Sequence, residues 1–431
     1  MYRLSTAARR GGVGALRCAA YASAGWLAAS GLYLLALLLA GRRPGRAATT
    51  DPGRAPLRVA VLMPAHDEQA GIADAVAGLM AQDHPSHLLD VIVIADNCTD
   101  ATAALAAEAG ATVWERDAPD APGKPQALAW AIERLWQERP DTDVVVIVDA
   151  DCAASANLCS AIAAEIGGGA DAVQVPYEVS NASESPTAAL RAAGFTLKHV
   201  IRARGRARLG LSCNLFGTGM GFSAPVLRRV PWPQSVTEDT ELFIRLTRAG
   251  YRVAYAGGAR VGSPMPVSAE QAAEQQLRWE SGNALLARRE LPGLIGQAIR
   301  GADVQCLGAA AELALPSQTL MAGGGLSLLA AGALTRDRRL AAGAVVTVAA
   351  QSAYVVGGLA AAGGRAVMLK ALVHAPEFVA GRVPVLARVA AGRGARGWVR
   401  TTRAPAPGPK PAQRESAQRA AAPAPHDVGM R

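Results

Sequence analysis

The sequence predicts an α/β domain in which a mostly parallel β-sheet is covered by helices on both faces. Three observations carry this expectation. The run Val144–Asp151 reads VVVIVDAD, and its five successive β-branched residues leave no polar face, as in a strand buried between two helix layers. From Leu57 to Gly258, strand-like runs alternate with helical spacing at the intervals of βαβ units. The strand-like runs end in polar, acid-bearing loops, which is where sheets of this kind place their ligands.

Taken in order, Leu57–Met63 is an apolar strand expected to stop at Pro64, and Gly71–Gln82 has helical spacing. Leu88–Ala95 is a second strand, followed by a helix over Thr99–Ala109 that Thr99 could cap. A short strand at Thr112–Glu115 precedes a helix near Gln126–Glu138, and the next strand delivers Asp149 and Asp151. In extended chain, residues two apart point the same way. Two carboxylates so placed suit Mg²⁺ or Mn²⁺ shared with a substrate diphosphate; the plainer reading is a strand end with an Asp helix cap. His66, with no second histidine at ligand spacing, reads as a polar loop residue.

The 431-residue chain has room for one large domain and something more. Only 18% of residues are charged, mean hydropathy is +0.16 and the formal net charge is +9, a balance that suits an anionic membrane surface. Aromatic residues are 4% of the chain, too few for the stacking platforms of a single-stranded nucleic acid, and no nucleic-acid partner is expected. Three uncharged stretches could span a bilayer: Cys18–Ala40, Leu313–Leu334 and Leu340–Gly364, with Glu312 at the edge of the second. The first run is longer than the apolar core of a removable signal peptide.

The expected organisation is therefore a basic segment (1–17), a span (18–40), a linker (41–56), the α/β domain (57–303), two further spans (within 304–335 and 340–364), an interfacial basic segment (365–403) and a disordered Pro/Ala-rich tail (404–431). Arginines flank the first span on both sides, and Arg336, Arg338 and Arg339 lie between the last two. With the large domain in the cytosol that turn lies outside, against the positive-inside trend, whereas the arginines from Arg382 to Arg403 favour a cytosolic C-terminus. Six scattered cysteines without a CxxC pair imply reduced thiols and no zinc site. The basic run Lys198, Arg202, Arg204, Arg206 and Arg208 reads as a solvated or membrane-facing helix edge, or else as a contact for lipid phosphates or for a lipid-linked acceptor.

The order Pro64-Ala65-His66-Asp67-Glu68, Asp96-Asn97-Cys98-Thr99-Asp100, Gly123-Lys124, Asp149-Ala150-Asp151, Thr237-Glu238-Asp239 and Gln275-Gln276-Leu277-Arg278-Trp279 resembles the membrane-bound family-2 glycosyltransferases. That group includes the cellulose, chitin, hyaluronan and poly-N-acetylglucosamine synthases. The resemblance covers about Leu57 to Arg289. It implies a GT-A fold, a Rossmann-like sheet that binds a nucleotide sugar and usually a divalent metal. By the same resemblance, Pro64, Ala65 and Glu68 lie in the loop that holds the nucleoside, Asp96 contacts base or ribose, and Lys124 stands near the nucleotide. Asp149 and Asp151 form the DxD pair, with Asp151 the closer metal ligand. Gly219, in the run Gly217–Met220, lies beneath the acceptor sugar. Asp239 is the general base. Gln275, Arg278 and Trp279 are the fixed positions of QxxRW, where Arg278 binds diphosphate and Trp279 stacks on the acceptor.

The chemistry requires these residue types. A leaving diphosphate gains negative charge that a metal and cations stabilise. An acceptor hydroxyl is a poor nucleophile until a carboxylate takes its proton. Glu238 is the alternative base to Asp239, and either acid would also suit a helix N-terminus without catalysis. The resemblance thus implies an inverting, metal-dependent transfer from a nucleotide sugar, UDP-linked in the first instance, to a glycan or lipid at the bacterial cytoplasmic membrane. The family's polymer-extruding members carry more spans than three, which leaves room for single transfers or a partner membrane subunit. Asp67 stands where the family commonly has Asn. Two other readings are a sugar-phosphate nucleotidyltransferase, disfavoured because PAHDE is no Gly-rich, basic loop, and a non-catalytic nucleotide-sugar-binding subunit, disfavoured by the intact acids.

Overall fold

The computed structural model describes residues 2–42 and 55–362, and beyond them only 373–374, 381–382, 384–385 and 388–389. The tail, nearly all of the interfacial segment and most of the linker lie outside the described residues. A long helix α1 (Tyr2–Ala40) precedes β1 (Val59–Ala65), α2 (Ile72–Met80), β2 (Leu89–Asp96), α3 (Thr102–Glu108), β3 (Thr112–Arg116), α4 (Lys124–Glu138) and β4 (Val144–Ile147). Then follow β5 (Ala153–Ala154), α5 (Leu158–Gly167), β6 (Ala172–Gln174), β7 (Tyr177–Val179), α6 (Pro186–Phe195), a π-helical segment (Thr196–Arg202) and α7 (Ala203–Arg208). The domain is completed by β8 (Met220–Ser223), α8 (Ala224–Arg229), α9 (Glu238–Arg248), β9 (Val253–Tyr255), β10 (Val261–Ser263) and α10 (Ala269–Gly301). After it come α11 (Val304–Leu313), α12 (Gln318–Thr335) and α13 (Arg338–Ala362).

The main sheet has seven strands in the order β3-β2-β1-β4-β8-β6-β9, and a small sheet has the order β5-β10-β7. In the main sheet β8 alone runs antiparallel, pairing with β4 on one side and β6 on the other. Alternate residues of each strand feed two cores. Leu62, Ile92, Ile94, Val145 and Ile147 pack with Leu128 and Ile132 of α4, while Val61, Met63, Val93, Val144 and Val146 pack with Ile72, Val76 and Ile162 of α2 and α5. Burial on both faces is why these strands read as unbroken apolar runs.

Three local expectations are corrected. β1 runs through Pro64 to Ala65. Leu62 is the last β1 residue paired with β4, and Val148 N–H donates to its carbonyl. Pro64, two residues on, faces the same side past the end of β4, so its missing N–H breaks no ladder. β4 ends at Ile147, and Cys152 N–H donates to the Asp149 carbonyl at 3.0 Å. Asp149 and Asp151 therefore stand on a tight turn just beyond the strand. At α3, Asp100 and not Thr99 serves the helix start: its carboxylate accepts from Thr102 N–H at 2.9 Å.

Among the described residues, two helices, Gly14–Ala40 within α1 and α13, are long and apolar enough to cross a membrane. They lie side by side and parallel, with Ala24 at Gly343, Gly31 at Ala350 and Leu38 at Gly357. The expected span Leu313–Leu334 is not one helix: α11 ends at Leu313, Pro316 lies in the break, and α12 has 18 residues, about 27 Å of rise. α12 runs antiparallel to α13, placing Gly332 against Ala341 and Gly325 against Val348. The turn joining them meets α1, where Arg17 donates to Asp337 at 3.1 Å. At the other end α1 packs on the α/β domain through Gly205. A Cβ there would lie 2.2 Å from the Leu37 carbonyl oxygen, so no other residue fits without moving a helix backbone.

The basic run on the π-helical segment and α7 is not a plain surface edge. Arg206 is 1% exposed, and Arg202 and Arg206 lie 3.4 and 3.3 Å from the carboxylate of Glu312. Glu312, expected at a membrane interface, is itself buried. It also accepts from Tyr33 at 3.1 Å and Asn214 at 2.8 Å. One acid thus joins α1, α7, α11 and the loop before β8.

Candidate active site

The loops after β1, β2 and β4, the loop before β8 and the start of α9 meet at the carboxyl edge of the sheet. Loop geometry there depends on residues that tolerate left-handed backbone: Asp67 and Asn97 both have φ of 50°. The Asp67 carboxylate accepts from Thr99 N–H at 2.7 Å, tying the first loop to the second. Glu68 uses its backbone to start α2, its carbonyl accepting from Gly71 and Ile72 N–H. Ala65 offers its carbonyl to the Cys98 thiol. Asp96 is buried, and its carboxylate accepts from the Arg116 guanidinium, Asn97 Nδ2 and Gly123 N–H. It therefore clamps the ends of β2 and β3 to the start of α4.

That clamp sets Lys124 at the start of α4. Its Nζ lies 2.6 Å from Asp149 Oδ1 and 3.6 Å from Glu238 Oε1, and donates to the Gly217 carbonyl at 2.7 Å. Burial alone would lower its pKa, but Asp149, Glu238 and Asp239 together hold it above the ordinary value. A Cβ on Gly217 would stand 3.6 Å from Lys124 Nζ and 3.8 Å from Asp239 Oδ2, so Lys124, Asp149, Glu238, Asp239 and the Gly217 loop surround one point. Asp151 and Cys152 complete a cluster with Asp149 whose ligand atoms all lie within 4.8 Å of one another. Burial, then Asp151 and Asp149, push the Cys152 thiol well up, and Thr218 Oγ1 lies 3.4 Å from its sulfur. The oxygen pair is left as the hard donor set that a divalent cation such as Mg²⁺ or Mn²⁺ accepts.

Two side chains organise this edge, and the first of them, Gln174, carries no signal in the sequence. Gln174 is fully buried at the end of β6. Its amide donates to the carbonyls of Thr218 and Gly219 at 2.9 and 3.2 Å, and its oxygen accepts from Phe216 N–H at 2.9 Å. Thr218 Oγ1 in turn accepts from Asp149 N–H at 3.1 Å, which links the Gly217–Met220 loop to the acidic turn.

Glu238 and Asp239 open α9. Asp239 Oδ1 accepts from Thr240 N–H at 2.7 Å. Glu238 is 8% exposed, and burial, then Asp239 and Asp149, raise its pKa to about 7 against the pull of Lys124. The sign follows. Between the ordinary value of 4.5 and about 7 the folded chain holds a proton that the unfolded chain has released, so this group's contribution to stability falls as pH rises through that window. Glu238→Gln is expected to remove that slope and to gain up to about 3 kcal/mol relative to wild type above the window. Unfolding midpoints of both proteins between about pH 5 and 8 test this. A wild-type midpoint that climbs relative to the variant would mean that Lys124 keeps Glu238 ionised.

The QxxRW residues lie on α10, which is fastened beside this point. A Cβ on Gly282 would meet Thr237 Cγ2 at 2.5 Å, so α10 packs directly on the residue before Glu238. Burial lowers the pKa of Arg278, with Glu238 opposing, which places its charge in the field of Glu238. Gln275 Oε1 is buried without a hydrogen bond among the described residues. Trp279 turns toward α6, its ring 6.5 Å from that of Phe195 and 5.6 Å from Arg191 Cζ. The site residues expected from the sequence thus fall into a tight centre (Lys124, Asp149, Glu238, Asp239), adjoining groups (Asp151, Gly219, Arg278, Trp279, Gln275), and a supporting rim (Pro64, Ala65, Glu68, Asp96).

Comparison with known proteins fits this geometry. The mannosyltransferase PcManGT of Pyrobaculum calidifontis, solved with GDP-Man and Mn²⁺, superposes with a TM-score of 0.51 at 19% identity, covering 81% of this chain and 98% of that one. The likeness shows a GT-A-like α/β fold. The low-salt glycan biosynthesis hexosyltransferase Agl6 of Haloferax volcanii is 35% identical over 94 residues, which span 22% of this chain and only 21% of that protein. The family model for glycosyltransferase like family 2 matches residues 56–282, more than half of the chain. By that match, the chain belongs to glycosyltransferase like family 2.

Proposed function

We propose that this protein is an inverting, metal-dependent glycosyltransferase. It moves a hexosyl or N-acetylhexosaminyl group from a nucleoside-diphosphate sugar, UDP-linked in the first instance, to a hydroxyl of a glycan or lipid acceptor. The observation that carries this reading is the convergence of Lys124, Asp149, Glu238 and Asp239 on the Gly217 loop. One cation and three acids at one point suit a reaction that both neutralises a departing diphosphate and takes up a proton. The PcManGT structure, which holds GDP-Man and Mn²⁺, supports the donor class.

Asp151 and Asp149 would hold the divalent cation, which when bound would neutralise charge building on the diphosphate. Lys124, already paired with Asp149, adds a fixed positive charge beside it. Arg278 supplies a second cation from α10, and Trp279 offers an apolar face for a sugar ring. Asp96 holds the start of α4 so that Lys124 keeps its place, and the Pro64–Glu68 loop borders the nucleoside. The domain acts on the cytosolic face of a bacterial membrane as a multi-pass protein: α1 and α13, apolar and long enough to cross, run parallel toward the domain, and the antiparallel α12 between them makes the return crossing. Transfer of single sugars needs no more than this, whereas extrusion of a polymer would require a partner membrane subunit.

Purified full-length protein with UDP-sugars and GDP-mannose tests the reading. Nucleoside diphosphate release is expected with Mn²⁺ or Mg²⁺ and not with EDTA. Mn²⁺ should tighten nucleotide binding by about tenfold or more, an effect that Asp151→Asn removes. Turnover undiminished in EDTA would overturn the metal assignment.

A further inference from the structure

The rod formed by α6 and the π-helical segment carries cations that neither the fold nor the transfer of sugar from its donor explains. Arg191 is 6% exposed. One guanidinium nitrogen donates to the Ala272 carbonyl at 2.7 Å, while Nε is buried with no hydrogen-bond partner among the described residues. Among the described residues no carboxylate pairs with it, and its Cζ lies over Trp279 at 5.6 Å. Burial, then the like charge of Arg382, lowers its pKa to about 10. An isolated buried guanidinium is costly, and a second cation nearby raises the cost. Four and seven residues on, along the same rod, stand Phe195 and Lys198. Phe195 packs beside Trp279 at 6.5 Å. Lys198 is reached by solvent and makes no hydrogen bond or ion pair among the described residues. Its Nζ lies 5.9 Å from the ring of Phe216, the residue before Gly217, on which Lys124 and Asp239 converge. Burial, then the like charge of Arg202, lowers the pKa of Lys198, with Asp239, Glu312 and Glu280 opposing. The π-helical turn that presents Lys198 is the kind of irregularity that helices keep at functional sites.

We propose that the acceptor of this enzyme carries a phosphate group, and that Arg191 and Lys198, flanking Trp279 and Phe195, bind that phosphate while the acceptor hydroxyl faces Asp239. The inference rests on the glycosyltransferase reading above and adds the chemistry of the acceptor. The rings of Trp279 and Phe195 beside the two cations take a sugar face or an acyl chain, and the two charges take the phosphate. The step balances without a further reactant. The bond from the anomeric carbon to the diphosphate breaks, a bond to the acceptor oxygen forms, the hydroxyl proton passes to Asp239, and the acceptor phosphate is unchanged. Lys198 and Arg191 are positioning residues.

Matched acceptor pairs test this with full-length protein, Mn²⁺ and whichever donor is turned over. Glucose 6-phosphate against glucose represents a soluble phosphate, and dodecyl phosphoglucoside against dodecyl glucoside a lipid-borne one. In at least one pair the phosphorylated member should be used with kcat/KM about tenfold or more above its partner, through KM. The pair that shows the preference identifies the source. That ratio should fall toward one in Arg191→Gln and in Lys198→Gln, and return in part in Arg191→Lys. The exposed Lys198 side chain keeps the test open if a change at buried Arg191 prevents folding. Equal use of both members by wild type, or a preference that survives both substitutions, overturns the proposal. Absence of any donor turnover would instead fail the glycosyltransferase reading itself.

Discussion

Asp239→Asn is expected to lower kcat for sugar transfer by about 10²–10⁴-fold while leaving nucleotide binding within a few-fold of wild type. The expectation rests on access and on charge. Asp239 is half-buried at the start of α9, with Oδ1 held by Thr240 N–H and Oδ2 near the Gly217 loop. It can therefore meet an incoming hydroxyl without first breaking an ion pair. Glu238, the rival base, is buried, lies 3.6 Å from Lys124 Nζ, and carries a proton over much of the range below about pH 7. A group so engaged serves better to tune Lys124 than to collect a proton from solvent-borne substrate. The asparagine preserves shape and the Thr240 contact but cannot accept a proton at useful basicity. Product formation by mass spectrometry, with nucleotide binding measured on the same preparation, decides the matter. Full activity in Asp239→Asn combined with loss in Glu238→Gln would move the base by one residue.

Much of this site was legible before any fold was known, for a physical reason. Loop acids after apolar strands are set by the strand pattern, so the run ending in Asp149 and Asp151 announced both the sheet and its ligand edge. The exact end of the strand was not legible. VVVIVDAD has no breaker before the acids, and only the position of Pro64 and the β1 register show that β4 loses its neighbour at Ile147. Gln174 was invisible because its role depends on β8 inserting antiparallel between β4 and β6, which brings Thr218 and Gly219 to its amide. Arg202 and Arg206 read as surface because their counter-charge, Glu312, lies far along the chain in an otherwise apolar stretch. Pairings at that sequence distance follow from tertiary packing and leave no periodicity to read.

That buried acid carries the second large expectation. Glu312→Ala is expected to destabilise the protein by about 3–5 kcal/mol, because it strands two arginines without a counter-charge. Arg206 is the critical partner: it is 1% exposed, and its remaining bonds go to the Ser212 and Gly308 carbonyls and the Tyr33 hydroxyl. None of these neutralises a guanidinium. The loss should be shared unevenly among the elements that Glu312 joins. Asn214 loses its 2.8 Å bond, and it stands two residues before Phe216, so the loop that holds Lys124 through Gly217 should loosen and KM should rise as well. Thermal unfolding of detergent-solubilised protein and a double-mutant cycle with Arg206→Met separate the two effects. Removing both partners should recover part of the stability that Glu312→Ala loses, since no charge then remains buried alone at Arg206. A double variant as unstable as the sum of the single ones would show that the two residues act independently. The ion pair would then not be what fastens α1 and α11 to the α/β domain.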